Sequence, residues 1–348
     1  MAAAILVCGI LPGCQSPFPK VSEASKVHIQ LARSWCYGGC PAYVVDVTED
    51  GSVIYEGTSS VAVSGRFQDR IPPTAVAALV GLFDRAGFFS LRDEYSASFP
   101  DGVAYTISLT VDGRTKTVRD YEGQTVGMPA IVTELQDAID RTAGTAKFVK
   151  GAPETIEVLR KAGFNFSSPQ AGVYLADALD IGSYAYAREL IEAGAPLDGR
   201  TTRQQLPFPQ LIGAGSPEAN ATARLLAETA IARGSYQDRT NAVWLAVRLD
   251  DARLLRRLID KGADIRITSA EYPWITPLSD ARSASMARTL LAAGLDPNQM
   301  RPSPLMVTES EEVALVLASK GMRDEIRTAL IVRAREEGWN RLLAKLGS

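Results

Sequence analysis

Residues 26–150 carry two hydrophobic rhythms, whereas residues 151–348 keep only one. Tyr43, Val45 and Val47 alternate with Val44, Asp46 and Thr48, the period of a strand with one buried face. His28–Leu31 predicts a strand before it, Glu49-Asp50-Gly51-Ser52 a hairpin turn and Val53–Glu56 the return. Val76, Leu79, Val80 and Phe83 then recur at helical spacing behind Pro73, a favoured first-turn residue, and Gly87 marks the stop. Tyr105, Ile107, Leu109 and Val111 restore the alternation, Asp112-Gly113 turns, and Arg114–Val118 comes back. Ile131, Leu135, Ala138 and Ile139 predict a closing helix. Residues 26–150 therefore read as an α+β domain, an antiparallel sheet with helices on one face.

Beyond residue 150 a phrase recurs. Leu190–Asp198, Leu258–Arg266 and Leu290–Asn298 each run an apolar helix end into glycine and then a short extended finger. Val316–Asp324 is a worn copy and Leu159–Phe166 an upstream one. Gly163, Gly194, Gly234, Gly262, Gly294 and Gly321 fall at intervals of about 30 residues, the range of a solenoid. A helix that stops at glycine uses its tolerance of the left-handed region, so all six are expected there. Single units of this size cannot bury their own apolar face and must stack. Residues 151–322 are read as the repeats. Residues 323–348 are read as a helical cap: Ile326, Ala329, Leu330 and Arg333 trace one helix, Leu342, Leu343 and Leu346 a second, with Arg333 among the charged groups left outside.

The repeats resemble the ankyrin family, in which a T-P-L-H tetrapeptide opens an inner helix and a G-A-D finger follows an outer one. Thr276-Pro277-Leu278-Ser279 and Ser303-Pro304-Leu305-Met306 match the tetrapeptide. Asn241-Ala-Val-Trp244, ending in Lys261-Gly-Ala-Asp264, matches best. Leu175, Trp244, Ser279 and Met306 stand where the family has His. The resemblance implies an all-α solenoid that binds a protein or peptide through its finger tips and concave inner face. On that basis Arg200, Arg203, Arg266, Tyr272, Arg301 and Trp244 are the candidate contacts, Arg and Tyr being residue types that anchor interfaces. The alternative is that the exposed arginines keep the array soluble.

Composition narrows the function. The net charge of −3 lacks the basic excess of a nucleic-acid binder. Met1–Cys14 is a short apolar leader, below the length of a membrane span. Leu11-Pro-Gly-Cys14 resembles the bacterial lipobox, which implies lipidation of Cys14 and an anchor without a spanning helix. Residues 15–25 have a tether's composition. A plain signal peptide, or none, is the other reading. Because no Lys or Arg precedes the apolar run, the true start is expected upstream of Met1.

Trp35-Cys-Tyr-Gly-Gly-Cys-Pro41, the Asp50-Gly51 hairpin, Phe88–Tyr95 and Lys116–Tyr121 resemble a bacterial lipoprotein and secreted-domain family of unassigned function. That implies a cell-envelope setting, facing the periplasm, where Cys36 and Cys40 are expected to pair. Thiol–disulfide exchange at Cys36/Cys40 stays open, as does a hydrolase using carboxylates between Asp93 and Asp120 (Asp93, Glu94, Asp101 and Asp120). Against exchange, Cys40 runs into a strand pattern, so no helix N-terminus lowers a thiol pKa. His28 is the only histidine. It is read as a surface or edge residue, which leaves histidine triads and histidine-ligated zinc without material. No catalytic residue, metal or cofactor is assigned. A non-enzymatic envelope lipoprotein that binds a protein partner is the expected function.

Overall fold

The computed structural model describes residues 18–22, 24–37, 39–201, 208–211, 215–269, 272, 274–300 and 302–347. They fall into two compact units. Residues 18–59 and 65–146 form the first, and Ser60–Ser64 belongs with Lys147 onward in the second.

In the first unit the described strands are β1 (Val27–Arg33), β2 (Ala42–Thr48), β3 (Ser52–Ser59), β4 (Gly65–Arg70), β5 (Glu94–Ser96), β6 (Ala104–Val111) and β7 (Arg114–Tyr121). They make one sheet in the order β4-β3-β2-β1-β6-β7-β5. All pairings are antiparallel except β5 with β7, which is parallel. The β2–β3 turn requires glycine at Gly51, whose φ is +83° and where a Cβ would lie 2.0 Å from the Ile71 carbonyl oxygen.

Ile29, Leu31, Val45, Val47, Val53, Ile107 and Leu109 are buried on one face. Each such side chain contributes about 1.5–3 kcal/mol of burial. The opposite face is polar: His28 Nε2 lies 2.7 Å from Asp46 Oδ1, and the Ser108 and Thr117 hydroxyls share a hydrogen bond. His28 is thus a surface residue on a central strand, and not at an edge.

Helix α1 (Pro73–Arg85) buries Val76, Leu79, Val80 and Phe83, the four positions its spacing picks out. Helix α2 (Ala130–Ala143) packs on β1 and β2. It is turned slightly from the expected face: Val132 and Gln136 are buried beside Leu135, Ala138 and Ile139, while Ile131 is half-buried.

The second unit holds α3 (Pro153–Lys161), α4 (Pro169–Asp180), α5 (Tyr184–Glu192), α6 (Phe208–Leu211), α7 (Pro217–Arg233) and α8 (Tyr236–Arg248). It continues with α9 (Ala252–Asp260), α10 (Ala284–Ala292), α11 (Pro304–Val307), α12 (Glu311–Ala318), α13 (Asp324–Glu336) and α14 (Asn340–Leu346). Contacts order them in two rows. The trailing helix of each unit touches the next in the series α3-α5-α7-α9-α10-α12-α14. Leading helices touch along α4-α6-α8 and again between α11 and α13. This neighbour-to-neighbour order is that of a helical repeat array. Hydroxyl or carboxylate N-caps open α4, α7, α8, α9, α10 and α12: Ser168, Ser216, Ser235, Asp251, Ser283 and Ser310 each accept a backbone N–H of the first turn. Each such cap is worth about 1 kcal/mol.

The leading row departs from the sequence reading in three places. Thr276-Pro-Leu-Ser opens only a single turn, closed by the Asp280 N–H on the Thr276 carbonyl at 3.1 Å. Ser303-Pro-Leu-Met opens the four-residue α11. Asn241–Trp244 lies in the middle of α8, whose start is fixed by the Ser235–Asp238 capping box. Gly234 also differs from the other repeat glycines. Its φ is −70°, and it is needed for space, since a Cβ would sit 2.7 Å from Ala230 Cα.

Both ends of the array are covered. Val61, Ala62 and Val63 are fully buried, with the Ala62 and Val63 N–H groups donating to the Val149 and Phe148 carbonyls at 3.0 Å. Tyr174 Oη donates to the Ser64 carbonyl at 2.7 Å. At the other end, α13 and α14 bury Ile326, Leu330, Ala334, Leu342 and Leu346. Ala329 is exposed there, and Arg333 is half-buried, donating to the Met306 carbonyl at 2.6 Å. The register of α13 therefore runs through Ala334 and not through Ala329 and Arg333.

Candidate functional site

Each finger leaves its helix through a left-handed glycine: Gly194 (φ +105°), Gly262 (+83°) and Gly294 (+100°). Two residues then point inward in each case, Ala195 and Leu197, Ala263 and Ile265, Leu295 and Pro297. The alternation turns the intervening side chains outward. The fingers are held to their repeats by different means. Gly199 lies against Gly172 of α4, where a Cβ would come 1.9 Å from the carbonyl oxygen. The Asp264 N–H donates to Thr240 Oγ1 of α8 at 3.1 Å. Asn298 Nδ2 donates to the Gly321 carbonyl of the following unit at 3.1 Å.

Arg266 and Tyr272 share the finger after α9. Arg266 is exposed, and its backbone N–H donates to Asp264 Oδ1 at 2.8 Å. Farther along, Ser269 N–H donates to the Ile275 carbonyl and Ile275 N–H to the Tyr272 carbonyl, closing a compact loop. On it the Tyr272 and Trp274 rings meet at a centroid distance of 5.5 Å and remain 43% and 52% exposed. Arg200 is exposed on the earlier finger, and Trp244 is half-buried within α8. Arg203 and Arg301 lie outside the described residues, as does Cys14. Sequence reasoning passed over Trp274. Its signal was a second aromatic two positions after Tyr272.

The first unit settles where its candidate chemistry stands. Cys36 and Cys40 form a disulfide, and the Cys40 N–H points at Cys36 Sγ at 3.2 Å. The chain passes from Cys40 into β2, so no helix dipole faces either sulfur.

Three of the four candidate carboxylates are already engaged, and Asp101 is exposed. Asp93 pairs with Lys116, and Glu94 with Arg119 at 2.8 Å. The Ser96 hydroxyl and then Arg119 hold the Glu94 carboxyl below its ordinary range, the wrong direction for a general acid. Asp120 is buried, accepting the Gly123 N–H on one oxygen at 2.9 Å and the Gln136 amide on the other at 2.8 Å. It ties the loop after β7 to α2. Among the described residues no group of three or more His, Cys, Asp or Glu could hold a metal ion. No helix there is long and apolar enough to cross a membrane.

No curated protein matches the chain. Among solved structures it is similar to the ankyrin repeat domain of Bcl-3, a member of the IkappaB protein family. The identity is 18% over 47% of this chain and 90% of that one, with a TM-score of 0.24. The repeat architecture is defined here by the two helical rows, not by that likeness. Residues 27–143, from the first residue of β1 to the last of α2, match a family described as a domain of unknown function (DUF6438).

Proposed function

We propose that the chain is a non-enzymatic lipoprotein of the bacterial envelope whose repeat unit binds a protein or peptide partner through its fingers. The observation that carries the reading is the Tyr272–Trp274 pair, two large aromatic rings held in contact yet left exposed, on the finger that also carries Arg266. Tyr, Trp and Arg dominate interface hot spots because they bury large area at low entropic cost. Arg200 extends the surface to an earlier finger, and Arg203 and Arg301 belong to it by sequence. Lipidation at Cys14, with residues 15–25 as tether, would hold the protein at the membrane facing the periplasm.

A photo-crosslinking residue in place of Tyr272, introduced in cells, tests the binding reading. A discrete adduct that disappears with Trp274→Ala and Arg266→Glu is expected. Adducts that are absent, or that persist in both variants, count against it. Mass spectrometry of the mature N-terminus tests the anchor, for which a diacylglyceryl-modified Cys14 is expected; an unmodified one removes it.

A further inference from the structure

The first unit exposes aromatic rings at one end of its sheet. β1 ends there and β2 begins there, as do the end of β7 and the start of β6, because these neighbours are antiparallel. Trp35 is 48% exposed, Tyr37 80% and Phe99 57%, and they are the exposed aromatic residues of this unit among the described residues. All three lie in the segments that join strands at that end. Monomeric surfaces seldom cluster large apolar groups without a use for them.

The backbone of the loops that carry these rings is tied down. The disulfide closes the Trp35–Pro41 segment, and the Gly39 N–H donates to the Cys36 carbonyl at 3.0 Å. Ser34 and Ala104 exchange two hydrogen bonds, backbone N–H to carbonyl at 2.9 Å and backbone N–H to Oγ at 2.8 Å. Tyr121 Oη donates to the Phe99 carbonyl at 2.6 Å and accepts the Gly102 N–H at 3.0 Å. A preorganised site loses less entropy when it is filled.

The polar groups at this end select the ligand. Segments 34–41, 97–103 and 121–127 contain no Lys or Arg, and their charged residues are Asp101 and Glu122. Both acids are exposed, and the Glu122 side chain lies against Gly102, within 3.2 Å of where a Cβ would stand. Of the nearby cations, Arg119 pairs with Glu94, and Arg33, half-buried, lies over the Tyr105 ring. A phosphate-bearing ligand or an anionic membrane would meet, in these segments, two carboxylates and no Lys or Arg. A ring as exposed as Tyr37 projects, and lines no pocket for a partner's side chain.

We infer that this end of the sheet is a binding site for a neutral glycan strand. The C–H faces of pyranose rings would stack on Trp35, Tyr37 and Phe99, and their hydroxyls would donate to Asp101 and Glu122. Flat aromatic faces and carboxylate acceptors meet the two surfaces a sugar offers.

The test is calorimetric titration of the full chain with chitohexaose and with cellohexaose. Salt-insensitive binding of at least one is expected. Trp35→Ala should weaken it about tenfold, the scale of losing one anchoring aromatic. Tyr37→Ala, Phe99→Ala and the Asp101→Asn/Glu122→Gln pair should weaken it several-fold. Reduction of the disulfide should also weaken it by freeing the loop. Because these side chains are exposed, the variants should keep the parent's unfolding midpoint, which excludes misfolding as the cause. The inference is overturned if neither glycan binds, or if the Trp35→Ala/Tyr37→Ala/Phe99→Ala triple variant binds as tightly as the parent. Salt-sensitive capture of a lysine-rich peptide in place of the glycans would also overturn it and mark a protein interface.

Discussion

The two units hold themselves together by opposite means. In the sheet unit β1 is bonded along its whole length to β2 on one side and β6 on the other, so strands far apart in sequence share one core. In the repeat unit each helix leans on the next, and order is passed along a row. The lesson is about range: damage should spread through the first unit and stay local in the second.

The largest test compares two buried leucines. Leu31→Ala in β1 and Leu290→Ala in α10 both empty fully buried sites, and each should cost about 2–5 kcal/mol. Hydrogen exchange should then rise across the whole sheet for Leu31→Ala, but only across α9, α10 and α12 for Leu290→Ala. Equal spreading in both would break the comparison.

Asp120→Ala strands the Gly123 N–H and the Gln136 amide in a buried site. It should cost about 1–3 kcal/mol in chemical denaturation. Ser235→Ala removes the hydroxyl that caps α8, and about 1 kcal/mol should be lost there.

The phenols sharpen the contrast at smaller scale. Tyr43 Oη donates to Asp140 at 2.7 Å, whereas Tyr186 is fully buried and its hydroxyl has no hydrogen-bond partner among the described residues. Tyr43→Phe should therefore cost about 1 kcal/mol, and Tyr186→Phe should be neutral or stabilising. Burial pushes both phenols up, helped at Tyr43 by the Asp140 carboxylate and at Tyr186 by Tyr174. The unfolded chain ionises them at about pH 10. The folded protein keeps those protons, so their contribution is fully present below that pH and is lost as pH rises further. Both Phe variants should flatten the alkaline fall of the melting temperature.

Much of the fold could be read from hydrophobic spacing, and the misses have physical causes. Val76, Leu79, Val80 and Phe83 gave α1 because one face alone is buried. Gly65-Arg-Phe-Gln-Asp-Arg70 gave no sign of β4, because an edge strand with exposed residues needs no apolar alternation. β5 has three residues, too few to show a period. Thr276-Pro promised a helix, yet Ser283 already caps α10, and the residues between suffice for one turn. Gly234 looked like its fellows because sequence does not separate a glycine needed for handedness from one needed for room. Of the candidate surface, the repeat grammar picks out Arg266 and Tyr272, and both are exposed. It does not pick out Trp274, since only the folded loop shows its ring turned to solvent.

The short connection between β3 and β4 has a consequence for synthesis and inheritance. Val61, Ala62 and Val63 are translated before any helix of the array they complete. A gene fragment begun at Lys147 would leave Phe148, Val149 and Tyr174 without the backbone they bond. Recombination that traded the repeats for another set would have to carry this five-residue piece along.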